Sequence, residues 1–148
     1  MDFERVLEII VDVAYSIVPA DRLSVMVLSD DRKHMTIFES KDAKALTISS
    51  TTGVAGYVAT TGEKVNIGDA YNDPRFNPEV DKSTSFTTRS ILCVPIVAGG
   101  KIVGVIQAVN KSPSTQATVV QGATSAQFDS DDERGLEALS LSAGSAIR

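Results

Sequence analysis

The sequence predicts a single α+β domain, with an antiparallel sheet and an amphipathic helix at each end of the chain. Two pairs of strand-like runs face each other across turn-forming residues, Arg22–Ser29 with His34–Ser40 and Ile91–Val97 with Lys101–Asn110, which is typical of antiparallel hairpins. The first and last segments carry apolar residues at helical spacing instead. With 148 residues, 43% of them hydrophobic, the chain can bury one core but not two.

The opening helix is indicated by apolar residues at spacings of three and four, and Pro19 ends it. Its predicted apolar face consists of Phe3, Val6, Leu7, Ile10, Val11, Ala14 and Ile17. In the first hairpin, runs rich in β-branched and aromatic residues flank the turn Asp30–Lys33. Ala45–Ser49 is predicted as a third strand. The run that Gly62 closes predicts a short helix, and Lys64–Ile67 predicts a further short strand.

The second hairpin gives the strongest strand signal of the chain. The apolar run Ile91–Val97 faces Lys101–Asn110 across an Ala-Gly-Gly turn, and we expect both to be central strands. The segment Ser112–Gln127 is small, polar and aperiodic, which predicts a loop. The last helix begins with a predicted capping box of Ser130 and Glu133. Its apolar side is predicted to consist of Leu136, Leu139, Ala143, Ala146 and Ile147.

Composition excludes several partners and locations. The chain has 14 basic and 19 acidic residues, a net charge of −5, whereas nucleic-acid binders need a surplus of Lys and Arg. We therefore expect neither nucleic acid nor a membrane as a partner. No apolar stretch approaches the roughly 18 residues of a membrane span, and the N-terminus is acidic where a signal peptide would be basic, so the expected location is cytoplasmic. A single cysteine, Cys93, excludes an internal disulfide and lies in a run typical of a core.

The sequence lacks the arrangements that catalysis requires. The only histidine, His34, stands at the start of a strand after a charged turn, where an exposed residue is more typical than a catalytic base. Asp69, Asp73, Glu79 and Asp81 do not have the spacing of a calcium loop, and no glycine-rich nucleoside-triphosphate loop is present. We therefore predict no enzymatic activity, no metal and no cofactor.

Two features indicate a ligand-binding site instead. The stretch Asn66–Asp81 combines prolines, carboxylates and amides with Tyr71 and Phe76, which is more than a plain connection needs. The short helix begins with Gly-Val-Ala-Gly, so the N–H groups of Val54 and Ala55 could bind a phosphate. A purely structural helix start is the commoner reason for such a pattern.

At this point the residues match a known family. Residues Thr52 to Asp81, followed by "TRSILCVPI", "GVIQAVNK" and "FDSDDE", resemble the GAF domains that regulate cyclic-nucleotide phosphodiesterases and certain adenylyl cyclases. The signature of the cyclic-nucleotide-type members is met by Asn110, Lys111, Phe128, Asp132 and Glu133. The resemblance implies a twisted antiparallel sheet of about six strands, with the terminal helices on one face. The ligand pocket and its short helices would lie on the other face.

The resemblance also implies a site for a cyclic purine nucleotide, cAMP or cGMP, beneath a lid that includes Asn66–Asp81, with Thr84 and Thr88 on the segment behind it. The residues implied are Ser24, Phe38, Glu39, Val54, Ala55, Asn77, Asp81, Thr84, Thr88 and Gln107. Phe38 would be a stacking face for the purine, and Asp81 would lie near the edge of the base. An ion pair between Lys111 and Asp132 would tie a strand end to a helix start outside the pocket.

Considered without the resemblance, the residues leave most of these assignments open. Phe38 fits a core position equally well, and Asn77 and Asp81 could be turn residues. Gln107 is different because it interrupts an apolar strand, where an unpaired buried amide costs about 1–3 kcal/mol, so a ligand or another partner is favoured there. The polarity of these side chains does not choose between cAMP and cGMP.

The sequence thus predicts a non-enzymatic regulatory domain that passes lid closure to an effector domain of the same chain, such as a phosphodiesterase or a cyclase. We expect residues 1–148 to be a single domain excised from a longer protein, which forms a homodimer through its terminal helices. Two alternatives stay open, a GAF domain that senses another small metabolite and a dimerisation module without a ligand. A methionine sulfoxide reductase of this family would need several cysteines, and Cys93 alone argues against it.

Overall fold

The computed structural model describes residues 3–39, 46–79, 87–111 and 127–147. Within these ranges the strands are β1 (Ala20–Leu28), β2 (His34–Phe38), β3 (Leu46–Ser49), β4 (Val65–Ile67), β5 (Ile91–Ala98) and β6 (Lys101–Lys111). The α-helices are α1 (Phe3–Ile17), α2 (Gly53–Thr61) and α3 (Ser130–Ile147), and a 3-10 turn spans Ala70–Asn72. The strands form one antiparallel sheet in the order β3-β2-β1-β6-β5-β4, which confirms the predicted fold class.

The sheet separates two apolar layers because successive side chains of a strand point to opposite faces. On one face, Leu23 and Val25 of β1 join Ile106 of β6 in a core with α1 and α3. On the other face, Met26 of β1 and Val105 of β6 pack with α2. The predicted division between a terminal-helix face and a short-helix face is therefore confirmed.

The terminal helices lie side by side on the first face. Leu7 and Val11 of α1 and Leu136 of α3 are fully or almost fully buried there. The close approach depends on glycine, since a Cβ on Gly135 of α3 would lie 2.6 Å from Cγ2 of Ile17. Ile17 itself was predicted to lie on the apolar face of α1, but its side chain is half exposed. None of the described helices is long and apolar enough to cross a membrane.

The second hairpin closes as its glycines predict. Gly99 and Gly100 both have positive φ angles, 59° and 78°, which suit the tight two-residue turn that favours the twist of antiparallel strands. β6 lies at the centre of the sheet beside β1, whereas only β4 separates β5 from the edge. The predicted loop at Ser112–Gln127 lies outside the described residues except for its last residue.

The start of α3 differs from the predicted capping box. The side chain of Asp129 accepts a hydrogen bond from the N–H of Asp132 at 2.9 Å, and the side chain of Asp132 accepts one from the N–H of Asp129 at 2.9 Å. The reciprocal cap therefore begins one residue before Ser130, with Asp132 in the place predicted for Glu133. Glu133 does not take part in this cap, because its carboxylate binds Asn66 of β4 and Lys64, the residue before β4.

Candidate functional site

A cavity of about 180 Å³ lies on the α2 face of the sheet, between the strands, the first turn of α2 and part of the segment 66–79. Seven of the predicted binding residues line it: Ser24, Glu39, Val54, Ala55, Asn77, Thr88 and Gln107. Asp81 and Thr84, which were also predicted, lie outside the described residues. The remaining predicted residue, Phe38, is on the other side of the sheet.

The floor of the cavity contains a row of polar side chains on the central strands. Gln107 lies on β6. Its direct neighbours on the adjacent strands are Ser24 of β1 and Cys93 of β5. Cys93 is fully buried in the core on this face and does not line the cavity, and burial raises the pKa of its thiol, so it stays neutral. Among the described residues, Oε1 of Gln107 is buried and has no hydrogen-bond partner. An orphan acceptor beside the cavity is costly to the empty domain, so a ligand that reaches it would be favoured.

One wall of the cavity is the beginning of α2. Gly53 has a positive φ of 61°, and the first helical bond runs from the N–H of Gly56 to the carbonyl of Thr52 at 2.9 Å. The N–H groups of Val54 and Ala55 therefore precede the intrahelical ladder. No side-chain hydrogen bond from Thr52 caps the helix within the described structure. The N-terminal end of α2, with its partial positive charge, is thus exposed to the cavity and suits an anion.

The aromatic residue at the cavity is Phe76, and the placement expected for Phe38 is wrong. Phe38 packs with the core beneath the terminal helices, whereas Ile37, next to it on β2, lines the cavity. A strand alternates its faces, so both residues cannot reach the same side. Phe76 lies in the segment 66–79, packs partly buried on the α2 side and lines the cavity. The sequence highlighted Phe76 as part of an unusual stretch but did not assign it a binding role.

Two charged side chains also border the cavity. Arg22 lies two residues before Ser24 on β1, and Glu39 follows the end of β2. Sequence reasoning implied Glu39 and missed Arg22. The period of two along β1 was the available signal, since Arg22, Ser24 and Met26 share one face of the strand.

Asn110 fixes the backbone that carries Thr88. Its Oδ1 accepts hydrogen bonds from the N–H groups of Arg89 and Ser90 at 2.6 and 3.2 Å, and its Nδ2 donates to the carbonyl of Thr87 at 2.8 Å. Asn110 also has a positive φ of 59°, a conformation that Asn tolerates better than most residues. The buried Thr88 is thereby held at the cavity wall.

The predicted ion pair between Lys111 and Asp132 is present, with Nζ 2.8 Å from Oδ2. The pair is less exposed than an ordinary surface pair, since the two side chains are 15% and 7% exposed. Burial alone would lower the pKa of Lys111, but its bonds to Asp132 and to Asp129 raise it. The N–H of Asp132 and then Lys111 lower the pKa of Asp129 to about 2. This cluster ties the end of β6 to the start of α3.

A second contact ties the edge strand to the same helix. Asn66 of β4 donates from Nδ2 to the carbonyl of Phe128 and to Oε2 of Glu133, both at 2.8 Å. Nζ of Lys64 lies 2.8 Å from Oε1 of Glu133. Lys64 and then Asn66 hold the pKa of Glu133 below its usual range. Four signature residues thus make their contacts at the start of α3 and do not line the cavity: Lys111, Phe128, Asp132 and Glu133.

Comparison with known proteins places this arrangement in a family. The GAF domain model matches residues 2–147. The chain is 36% identical over 126 residues to the probable 3′,5′-cyclic phosphodiesterase pde-5 of Caenorhabditis elegans, covering 75% of this chain and 17% of that protein. It is 42% identical over 103 residues to the dual 3′,5′-cyclic-AMP and -GMP phosphodiesterase 11A of Takifugu rubripes, covering 69% and 10%. The chain thus spans only a small part of these relatives.

Solved structures share the fold across almost the whole chain. The GAF domain of the Acinetobacter phosphoenolpyruvate-protein phosphotransferase superposes with a TM-score of 0.74 at 21% identity, covering 99% of this chain and 82% of that one. The free methionine-R-sulfoxide reductase of Neisseria meningitidis gives a TM-score of 0.75 at 19% identity, covering 99% and 78%. At such low identity the likeness concerns the fold alone.

Proposed function

The chain belongs to the GAF domain family, and we propose that it is a regulatory domain that binds a cyclic purine nucleotide, cAMP or cGMP, without converting it. The observation that carries the proposal is the buried Oε1 of Gln107, which has no partner among the described residues. A folded domain gains nothing from an unpaired acceptor in its sheet, whereas a ligand that donates a hydrogen bond there recovers its cost.

The cavity has complementary surfaces for the parts of such a ligand. The N–H groups of Val54 and Ala55, which precede the first helical bond, suit the cyclic phosphate, which carries one negative charge. Gln107, Ser24 and Thr88 offer polar groups to the edge of the base. Phe76 offers an aromatic face of the kind on which bases stack.

The nature of the relatives supports the choice of ligand class. Both relatives are phosphodiesterases named for cyclic nucleotides, and the match covers only 17% and 10% of their lengths. We therefore propose that the domain controls an effector domain in the same polypeptide and acts in the cytoplasm. In this proposal the domain itself carries no catalytic group, and the nucleotide acts as a signal.

An apolar stripe on the terminal helices supports the proposal of a homodimer. Ile9, Val13 and Ile17 are between 41% and 50% exposed and recur every four residues along α1. Leu141 on the neighbouring α3 is 74% exposed. Large apolar side chains exposed on two neighbouring helices are typical of a surface that another protein covers. A second copy of the chain would bury the same stripe on both partners.

Calorimetric titration with cAMP and cGMP in turn tests the proposed ligand. We expect about one molecule of at least one of them to bind per chain, with micromolar or tighter affinity. Each nucleotide should be recovered unchanged, and 5′-AMP and 5′-GMP serve as controls with the same bases and an open phosphate. If millimolar cAMP and cGMP give neither heat nor protection against thermal unfolding, the nucleotide proposal is wrong. A GAF domain for another metabolite would then be the better account of the orphan Gln107.

A further inference from the structure

The outer side of the segment 66–79 is attached to α2 by a stacked pair. The guanidinium carbon of Arg75 lies 4.9 Å from the centre of the Tyr57 ring, within the distance of a cation–π contact. Tyr57 belongs to α2, the helix whose first turn lines the cavity. The pair thus joins two elements that both border the proposed ligand site.

Both members of this pair are held in orientation by carboxylates. Asp73 accepts hydrogen bonds from Nε and Nη2 of Arg75 at 2.9 and 2.7 Å, which fixes the plane of the guanidinium group. The hydroxyl of Tyr57 donates to Glu63 at 3.2 Å. A fixed cation over a fixed ring loses little side-chain entropy on stacking.

The residues next in sequence to Arg75 reach the cavity. Phe76 and Asn77 line it and also border the outer groove in which Arg75 lies against Tyr57. Gly53 brings the two elements close, since a Cβ there would lie 3.7 Å from Cβ of Asn77 and 3.9 Å from the carbonyl oxygen of Arg75. A shift of the backbone at Arg75 would therefore also shift Phe76 and Asn77 relative to the first turn of α2.

We propose that Tyr57 and Arg75 are positioning residues for the nucleotide site, and that their stacking holds Phe76 and Asn77 over the cavity and slows ligand release. The inference rests on the proposed nucleotide function but concerns residues outside the cavity itself. A cation–π contact at a partly exposed position changes an equilibrium about two- to fivefold. The effect should appear in the dissociation rate, because a bound nucleotide leaves only after the segment opens.

Release of tritiated cAMP or cGMP, whichever the titration shows to bind, tests the pair. Tyr57→Leu removes the π face and keeps an apolar side chain, and Arg75→Met removes the charge and keeps the stem. Each should raise the dissociation rate about two- to fivefold, and the association rate should not fall, since the nucleotide enters when the segment is open. Tyr57→Phe keeps the ring and loses only the hydroxyl bond to Glu63, so it should raise the dissociation rate clearly less than Tyr57→Leu. The double variant Tyr57→Leu/Arg75→Met should be no faster than either single variant, since both changes remove one contact.

Hydrogen exchange of the protein without nucleotide separates this inference from the proposed function. Tyr57→Leu should speed exchange in residues 69–79, and Tyr57→Phe should speed it clearly less. This comparison decides the role of the pair even if neither cyclic nucleotide binds. Unchanged exchange in Tyr57→Leu would overturn the inference, as would equal effects of Tyr57→Phe and Tyr57→Leu. Additive effects of the two substitutions on release would also overturn it.

Discussion

Gln107 is the residue at which stability and binding should respond in opposite directions. Replacing it with leucine removes a buried acceptor that has no partner within the described structure. Gln107→Leu should therefore raise the free energy of unfolding of the empty domain by about 1 kcal/mol and weaken nucleotide binding on the order of tenfold. Chemical denaturation and calorimetric titration measure the two quantities.

Gln127→Leu is a matched control for that substitution. Gln127 is exposed and donates to the carbonyl of Asn66 at 3.4 Å, outside the cavity. It should change affinity little. If Gln107→Leu lowered stability and left affinity intact, Gln107 would be an ordinary structural residue.

Asn110 combines two roles that substitutions can separate. Asn110→Gly keeps the positive φ of 59° readily but loses the three side-chain bonds to residues 87–90. Asn110→Ala loses the bonds and strains the backbone by roughly 1 kcal/mol more. Both variants should weaken nucleotide binding to a similar extent, because both release Thr88. Alanine should give the lower free energy of unfolding in denaturant titrations. Wild-type affinity in Asn110→Gly would show that the segment does not need this anchor.

The two phenylalanines show which part of the site could be predicted at this scale. The sequence identified Gln107 in the floor, because a polar group inside an apolar strand has few explanations, whereas Ser24 was implied only by the family resemblance. It did not place Phe38, because both faces of this sheet are covered and an apolar residue fits either one. Phe76 lies on an irregular segment, where no period relates side-chain direction to sequence.

Among the elements, the start of α3 shows why caps are hard to predict. The sequence "FDSDDE" allows overlapping capping boxes one residue apart. The structure selects Asp129 and Asp132 because Lys111 binds both carboxylates and because Lys64 and Asn66 bind Glu133. These partners are distant in sequence, so local patterns could not decide between the two registers.

The same cap predicts a dependence of stability on pH. The folded-state pKa of Asp129 is lowered from 3.8 to about 2. Because the pKa of Asp129 is lower in the folded state than in the unfolded state, its ionised carboxylate stabilises the fold fully at pH values above the unfolded-state pKa. This stabilisation is lost as the pH falls from about 4 through about 2. Asp129→Asn keeps a good capping residue but cannot titrate. The free energy of unfolding of this variant should therefore fall less steeply over that range.

Denaturant unfolding at a series of acidic pH values measures this slope. The difference should be small, because the side chain of Asp129 is 57% exposed and solvent screens its interactions. Asp12→Asn, at an exposed position on α1, is the matched control and should keep the wild-type slope. Equal acid slopes in the wild type and Asp129→Asn would show that the ion cluster does not stabilise the start of α3.

At the scale of the whole molecule, the apolar stripe on the terminal helices predicts self-association. Leu141→Glu places a charge in the stripe and should shift the chain from dimer to monomer, because a buried unpaired carboxylate is costly. Sedimentation velocity over a range of concentrations measures the change. Leu46→Glu is the control, since Leu46 is similarly exposed but lies on the edge strand β3. A wild-type chain that stays monomeric at all concentrations would exclude this surface as a dimer interface.

The architecture was more predictable than the site because its signals are local and repeated. Alternation along β1 and β6, the two turn glycines of the second hairpin and the helical spacing in α1 each lead to the same fold. The position of β5 next to the edge strand depends on β4, which has only three residues and gives a weak signal. The site combines residues from most elements, so it required the tertiary arrangement.

Hydrogen exchange with and without saturating cAMP or cGMP tests the central claim most directly, because it locates the ligand as well as detecting it. The empty segment 66–79 is largely irregular, so it should open at little cost in free energy. A nucleotide beneath it binds the closed state better and shifts the population toward closure. We predict slower exchange at Val54 and Ala55 and from Asn66 to Thr88, with weaker protection in α1 and α3. Unchanged exchange in all of these residues at saturation would contradict binding in this cavity.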